Sequence, residues 1–140
     1  MKNIILLLLT FTISYCSYSQ SDTTVYYKSG VARFWLKDYR GAIQDFNKVI
    51  EMDPKHKNAY NVRGTAKSWL KDYRGAIQDF NKVIEIDPKD RYAYYERGNA
   101  KNWLKKYRGA IQDFSKVIEI DPKHKKAYYQ RGLAKAWLKD

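Results

Sequence analysis

The chain has 140 residues, with 27 lysines and arginines against 15 aspartates and glutamates, a formal net charge of +12. Hydrophobic residues make up 44% of it and the mean hydropathy is −0.71, a composition that suits one folded domain without surplus apolar mass. Cys16 is the only cysteine, and His56 and His124 are the only histidines, so a disulfide framework and a His/Cys metal cluster are excluded.

Residues 1–19 are typical of a cleaved export signal. Lys2 supplies the positive charge, residues 4–13 are apolar apart from threonine, and residues 17–19 give a small-x-small cleavage motif before Gln20. The apolar run is too short to span a bilayer comfortably. We therefore predict an exported protein, located in the periplasm or outside the cell.

Two alternatives to this cleavage remain open. The chain could be cut before Cys16 and lipidated there, but Tyr15 stands where a small residue is wanted. It could also keep the segment as an uncleaved anchor, which is the weakest of the three interpretations. In the favoured interpretation, residues 20–22 are a short linker to the folded part.

From residue 23 onward the sequence repeats with a period of 34 residues. Shifting by 34 superposes one set of glycines and one set of tryptophans: Gly30, Gly64, Gly98 and Gly132, and Trp35, Trp69, Trp103 and Trp137. The windows 57–90 and 91–124 are identical at 25 of 34 positions. A period of this length predicts stacked repeats, here 23–56, 57–90, 91–124 and a half repeat 125–140.

Each period predicts two helices. In the second unit, apolar residues recur at helical spacing in 57–71 and again in 73–86. Asp72 is a good N-cap for the later helix, which ends at Pro88 because proline disfavours helix at the preceding residue. Gly64 has no side chain, so the two helices can approach closely. The predicted unit is an antiparallel helical hairpin.

No strand signal competes, so we predict an all-α fold. The predicted helices are Thr23–Lys37, Arg40–Met52, Lys57–Lys71, Arg74–Ile86, Arg91–Lys105, Arg108–Ile120 and Lys125–Lys139. Lys106 stands where the other units have Asp38 and Asp72, so we expect a weaker helix start there, by about 1 kcal/mol.

The repeat resembles the tetratricopeptide repeat. The resemblance covers residues 23–140 and rests on the recurring pattern Tyr60, Gly64, Ala66, Leu70, Tyr73, Ala76, Phe80 and Pro88. Arg63 and Lys67 depart from it, since the family more often has large apolar residues there. The resemblance implies a right-handed superhelix whose first helices line a concave groove for extended or helical peptides. It implies no particular ligand.

One face of the first helix of each unit differs between repeats. Of the nine differences between the two similar windows, four have spacing 3, 4, 3, which is a single helix face. Stacking does not determine these positions, and they coincide with the family's concave surface. We predict a peptide-binding groove with candidate residues Tyr27, Phe34, Asn61, Trp69, Tyr92, Tyr95, Asn99, Asn102 and Trp103. The alternative is neutral variation on a solvated face.

The recurring tryptophans and basic residues each have two interpretations. We expect the tryptophans to pack against the neighbouring repeat, with the open edge available as a binding anchor. Basic residues run at i, i+4 along each first helix, for example Arg63, Lys67 and Lys71. We expect Arg63 and Arg97 to bond across their hairpins to Asp79 and Asp113, with the lysines reaching solvent. The alternative is a polyanion-binding stripe.

These features favour an interaction scaffold for a protein or peptide partner of acidic character. The alternatives are a basic surface that binds anionic glycan or lipid of the envelope, and a homodimer through the last helix. Nucleic acid is disfavoured by export. Some family members clamp a peptide terminus with Lys, Asn and Arg, but the corresponding sites here are Tyr27, Val31, Val62, Tyr92 and Glu96, so the clamp is not carried over.

Nothing in the sequence predicts an enzyme. There is no paired histidine and carboxylate on one helix, no glycine-rich phosphate loop, and no nucleophile with an arranged base. His56 and His124 occupy the turn position of Asp90 and are expected to be solvated turn residues. We therefore expect no catalytic residue, no metal site and no cofactor.

Overall fold

The computed structural model describes residues 22–139, which form seven α-helices and no strand. α1 spans 22–35, and the others are α2 (Tyr39–Met52), α3 (Lys57–Trp69), α4 (Tyr73–Ile86), α5 (Arg91–Trp103), α6 (Tyr107–Ile120) and α7 (Lys125–Lys139). From α2 to α7, each helix packs on the next, and α5 also touches α3 and α7. The all-α hairpin array is confirmed.

The predicted export signal and linker, residues 1–19 and 20–22, lie outside the described residues except for Asp22, which begins α1. None of the helices in residues 22–139 combines the length and apolarity that a membrane span requires.

Side-chain caps set the starts of most helices. The Asp72 carboxylate accepts from the Gly75 N–H at 2.9 Å at the start of α4, as predicted. At the starts of α3 and α7 the cap is a histidine. Nδ1 of His56 accepts from the Ala59 N–H at 3.1 Å, and Nδ1 of His124 accepts from the Ala127 N–H at 3.1 Å. The two histidines are therefore half-buried caps, not simply solvated turn residues as expected.

Lys106 makes no cap hydrogen bond to α6, as predicted. We expect Lys106→Asp to raise the free energy of unfolding by about 1 kcal/mol, because the new carboxylate supplies the missing acceptor. Urea unfolding at neutral pH measures this. Lys106→Ala is the control, since it removes the same lysine without adding an acceptor. An equal gain in both variants would show that capping is not the cause.

The first helix of each hairpin ends two residues earlier than predicted. Lys71 has φ 63°, in the left-handed region, its N–H donates to Ser68 O at 2.9 Å, and the Asp72 N–H donates to Lys67 O at 2.9 Å. This is a Schellman motif, in which glycine is the usual residue at the left-handed position. Lys37 and Lys105 repeat it, with φ 62° and 57°. The second helices begin one residue earlier than predicted, at Tyr39, Tyr73 and Tyr107.

A buried phenylalanine facing a glycine forms the core of each hairpin. A β-carbon on Gly64 would lie 3.1 Å from Phe80 Cε1, and one on Gly98 would lie 2.8 Å from Phe114 Cε1. Phe80 and Phe114 are fully buried. The close approach predicted at Gly64 is therefore confirmed.

In the second and third units, a buried aspartate pairs with an arginine that also bonds to the preceding hairpin. Asp79 is 2% exposed and accepts two hydrogen bonds from the Arg63 guanidinium, one of them 2.9 Å from Nε to Oδ2. Arg63 also donates from Nη1 to Asn47 Oδ1 of the preceding hairpin at 2.7 Å. The Arg97–Asp113 pair repeats this arrangement. Both predicted arginine–aspartate pairs are confirmed.

The expectation that the neighbouring lysines reach solvent is wrong for Lys67 and Lys101. Lys67 Nζ lies 2.8 Å from Asp79 Oδ2, and Lys101 Nζ lies 2.7 Å from Asp113 Oδ2. Each carboxylate therefore forms a second ion pair with the lysine, in addition to the pair with the arginine. Because these arginines and lysines are ion-paired and mostly buried, they do not form the exposed basic stripe of the alternative interpretation.

Candidate functional site

A groove with a volume of about 1190 Å³ crosses α3, α5 and α7. The turns that follow α3 and α5, and the first residues of α4 and α6, complete one side of it. Its lining residues are Thr65, Ser68, Trp69, Lys71, Tyr73, Tyr92, Glu96, Asn99, Ala100, Asn102, Trp103, Lys105, Tyr107, Gln130, Leu133 and Trp137. The same helix face therefore forms the lining in three successive units.

Five of the nine candidate residues line this groove: Trp69, Tyr92, Asn99, Asn102 and Trp103. They come from the ends of α3 and α5 and from the variable face of α5. Thr65, Ser68 and Leu133, which hold the corresponding variable positions of α3 and α7, lie beside them. The structure therefore brings together the candidates of the second and third units.

Tyr27 and Tyr95 lie outside the groove lining, in equivalent positions of two units. The Tyr27 ring is 5.9 Å from that of Phe46, and the Tyr95 ring is 5.8 Å from that of Phe114. Each also contacts the ring of the histidine that caps the next first helix, at 4.9 Å and 5.2 Å. Both tyrosines are therefore partly buried against the core.

Phe34 and Asn61 are also outside the lining. The Phe34 ring packs 5.5 Å from the Tyr39 ring, against the first core cluster. Asn61 Nδ2 donates to Asp90 Oδ2 at 3.4 Å, which connects α3 to the cap of α5. These two side chains hold helices together in the structure.

The tryptophans that line the groove are both packed and open. Trp69 stacks on Tyr39 with 5.9 Å between ring centroids and an interplanar angle of 5°, and Trp103 stacks on Tyr73 at 5.7 Å and 4°. Their side chains are nevertheless 63% and 70% exposed. The expected packing on the preceding unit is confirmed, and each ring keeps an open face.

Sequence reasoning missed Glu96 as a groove residue. The third unit has Glu96 where the second has Val62, so this position is one of the nine differences between the two similar windows. That difference was the signal in the sequence that could have identified Glu96. Asn99 Nδ2 donates to Glu96 Oε2 at 3.4 Å. Burial raises the pKa of the Glu96 carboxyl above its usual range.

We expect Glu96→Gln to stabilise the fold at neutral pH. A raised folded-state pKa means that the native state binds the proton more tightly, so wild-type stability falls as pH rises from about 4.5 through the folded-state pKa. Glutamine has no charge to bury, so the Glu96→Gln variant should not lose stability in this way as the pH rises. Urea unfolding of both proteins at pH 4 and pH 7 tests it. The prediction would be contradicted if Glu96→Gln were less stable than wild type at pH 7. It would also be contradicted if the stability of Glu96→Gln relative to wild type increased from pH 7 to pH 4.

The two lysines of the groove occupy strained positions. Lys71 and Lys105 line the groove and are both in the left-handed region, which costs a residue with a β-carbon about 1 kcal/mol. We expect Lys71→Gly to raise the free energy of unfolding by about that amount, measured by urea unfolding. Lys71→Ala keeps the β-carbon and should give no such gain. If alanine stabilises as much as glycine, backbone strain is not the cause.

The groove offers rings, amides, two cations and one carboxylate, which is the chemistry of recognition. In the part of the chain that the structure describes, no group of three or more His, Cys, Asp or Glu side chains is placed to hold a metal ion.

Comparison with known proteins points to one family. A family model described as tetratricopeptide repeat matches residues 58–90 and 92–124, and a second with the same description matches 24–56. No curated protein sequence matches significantly. Many solved structures match.

The first TPR of Spaghetti (RPAP3), bound to the HSP90 peptide SRMEEVD, is 25% identical over 86% of this chain and 95% of that one, with a TM-score of 0.82. The second TPR domain of human RPAP3, in complex with the HSP70 peptide SGPTIEEVD, is 25% identical over 84% and 98%, with a TM-score of 0.79. MamA from Desulfovibrio magneticus is 27% identical over 84% and 67%, with a TM-score of 0.80.

Proposed function

The chain belongs to the tetratricopeptide repeat family, and we propose that it is a protein–protein interaction scaffold that holds a peptide segment of its partner in the groove. The observation that carries the proposal is the groove across α3, α5 and α7, lined by half-open tryptophans and side-chain amides. The two RPAP3 domains, which share this fold, are each bound to a peptide. The proposed role is binding, with no catalytic step.

The groove lining suits an extended segment. The open faces of Trp69 and Trp103 supply large apolar contact area, and such rings are frequent anchors in interfaces. Asn99 and Asn102 of α5 line the same groove, and side-chain amides can hydrogen-bond a peptide backbone. Rings for side chains and amides for main chain are what recognition of an extended peptide requires.

We propose that the partner segment is acidic overall. The chain carries a net charge of +12, and Lys71 and Lys105 line the groove. Complementary charge would raise the association rate and select against basic partners.

We also propose that the protein is exported, to the periplasm or beyond, after cleavage between Ser19 and Gln20. The support is the charge, apolar run and small-x-small motif of residues 1–19. Mass spectrometry of the protein recovered from cells that express the full chain tests this. A mature N-terminus at Gln20 would support it, one at Cys16 with an added lipid would favour the anchored alternative, and one at Met1 would refute both.

Affinity capture from envelope extract tests the groove. We expect the wild-type protein to retain a discrete protein that Trp103→Ala loses. Truncating an aromatic anchor that the partner covers costs about 2 kcal/mol or more of binding free energy, which is at least roughly 30-fold in affinity. Trp35→Ala is the matched control, since Trp35 holds the equivalent repeat position, is 77% exposed and does not line the groove. It should retain the partner.

Elution with rising salt separates the groove from simple charge attraction. If wild type, Trp103→Ala and Trp35→Ala all hold the same anionic material and release it at moderate salt, the basic surface is the binding site and the groove proposal fails. Material that resists moderate salt and depends on Trp103 supports the groove.

A further inference from the structure

We propose that Glu96 is the specificity-determining residue of the groove and that its carboxylate binds a lysine or arginine side chain of the partner segment. This inference rests on the proposed function and deepens it, because it names the kind of side chain that the groove selects. It does not follow from overall charge, which favours acidic partners.

Some of the hydrogen-bond donors around Glu96 are used within the protein. The Thr65 hydroxyl donates to Asn61 O at 2.9 Å, so in the 3.0 Å contact between the two hydroxyls Tyr92 is the donor and Thr65 the acceptor. Asn99 Nδ2 spends one hydrogen on Glu96 itself. Thr65, Tyr92 and this hydrogen of Asn99 are therefore not available as donors to a ligand in this part of the groove.

The hydrogen-bond acceptor sites of Glu96, in contrast, are mostly unoccupied. Glu96 accepts a single long hydrogen bond of 3.4 Å, although a carboxylate has about four acceptor sites. None of the ion pairs formed within residues 22–139 includes it. Glu96 can therefore accept further hydrogen bonds from a ligand.

A charged donor fits better than a neutral one. Glu96 is half-buried, and a carboxylate withdrawn from water without a counter-charge carries a desolvation cost that a cation offsets. Lys126 lies close enough to act on Glu96 through space but forms no ion pair with it. Tyr92 and Trp103 line the same groove, and an ammonium or guanidinium group gains further from an aromatic face.

The number of basic residues in the ligand is limited by the protein's own cations. Lys71 and Lys105 also line the groove, where Glu96 is the one carboxylate among the lining residues. A segment with many basic residues would be repelled by the two lysines. The geometry points to an acidic segment that carries one lysine or arginine, placed at Glu96.

Selection from a phage-displayed library of random 12-residue peptides tests this without a known ligand. Wild type, Glu96→Gln, Glu96→Arg and Trp103→Ala are each used as bait. Glu119→Gln is the matched control, because Glu119 is an exposed acid of α6 that, among the described residues, pairs only with Lys116. We expect wild type and Glu119→Gln to enrich peptides with a basic residue at one fixed position. Glu96→Gln should lose that preference, and Glu96→Arg should replace it with an acidic one.

The best wild-type peptide is then synthesised twice, with its basic residue and with norleucine in its place. We expect wild type to bind the norleucine peptide about 10- to 100-fold more weakly, since a hydrogen bond to a charged group has that value, and Glu96→Gln to bind the two nearly equally. Isothermal titration calorimetry measures the four affinities.

The outcomes separate the two proposals. Peptides selected without a fixed basic position, or with one that Glu96→Gln retains, would overturn the role of Glu96 and leave the groove proposal intact. If Trp103→Ala enriches every peptide that wild type enriches, the groove does not bind peptides and both proposals fail.

Discussion

Replacing Asp79 with asparagine is expected to lower the free energy of unfolding by about 3–5 kcal/mol, because it removes one partner of a buried ion pair. Asp79 is 2% exposed and is ion-paired with both Arg63 and Lys67, so the variant leaves two cations without a counter-charge. Arg63 also holds Asn47 of the preceding hairpin, so the loss should extend across the repeat boundary. Urea unfolding followed by circular dichroism measures it.

The equivalent aspartate of the first unit provides the control. Asp45 pairs with Arg33 at 3.3 Å, and the Arg33 side chain is 44% exposed, so water can replace the lost partner. We expect Asp45→Asn to cost about 1 kcal/mol, near the net value of one hydrogen bond. Equal losses at Asp45 and Asp79 would show that exposure of the cation does not decide the cost.

A triple variant identifies the source of the loss. Asp79→Leu combined with Arg63→Met and Lys67→Met removes the carboxylate and both cations while keeping apolar volume, and such replacements of buried ion pairs are often close to neutral. We expect it to recover most of the stability lost in Asp79→Asn. If Asp79→Asn itself is within about 1 kcal/mol of wild type, the buried network contributes little.

The period of 34 residues made the helices predictable, but not their ends. The pattern continues to Lys71, yet α3 stops at Trp69 because Lys71 adopts a left-handed conformation. The usual signal for such an ending is glycine, and lysine gives none. The pairing of Lys67 was missed for a related reason, since periodicity shows which residues share a face but not how many donors one buried carboxylate accepts.

The groove was predictable as a helix face but not residue by residue. Tyr92 and Tyr95 are three positions apart on the variable face of α5, but Tyr92 lines the groove while Tyr95 packs against Phe114 and His124. The difference arises from α6 and the turn before α7, which cover Tyr95. A substitution pattern within one helix carries no information on what a neighbouring element covers, so the same spacing yielded both kinds of residue.

The glycines of the repeat should respond in opposite ways to the same substitution. We expect Gly98→Val to lower the free energy of unfolding by about 2–3 kcal/mol, because overpacking a filled core costs that much. A β-carbon there would lie 2.8 Å from Phe114 Cε1 and 3.0 Å from Cζ, and Phe114 is fully buried and cannot move aside.

Gly132 is the matched control, since it holds the same repeat position on α7 but a β-carbon there would meet nothing within 4 Å. Valine has a better helix propensity than glycine, so Gly132→Val should gain a few tenths of a kcal/mol. Urea unfolding of both variants gives the comparison. A loss at Gly98 no greater than the change at Gly132 would mean that the helices can separate at little cost. In that case close approach at the glycine would not be what fixes the hairpin, and helix propensity alone would decide both results.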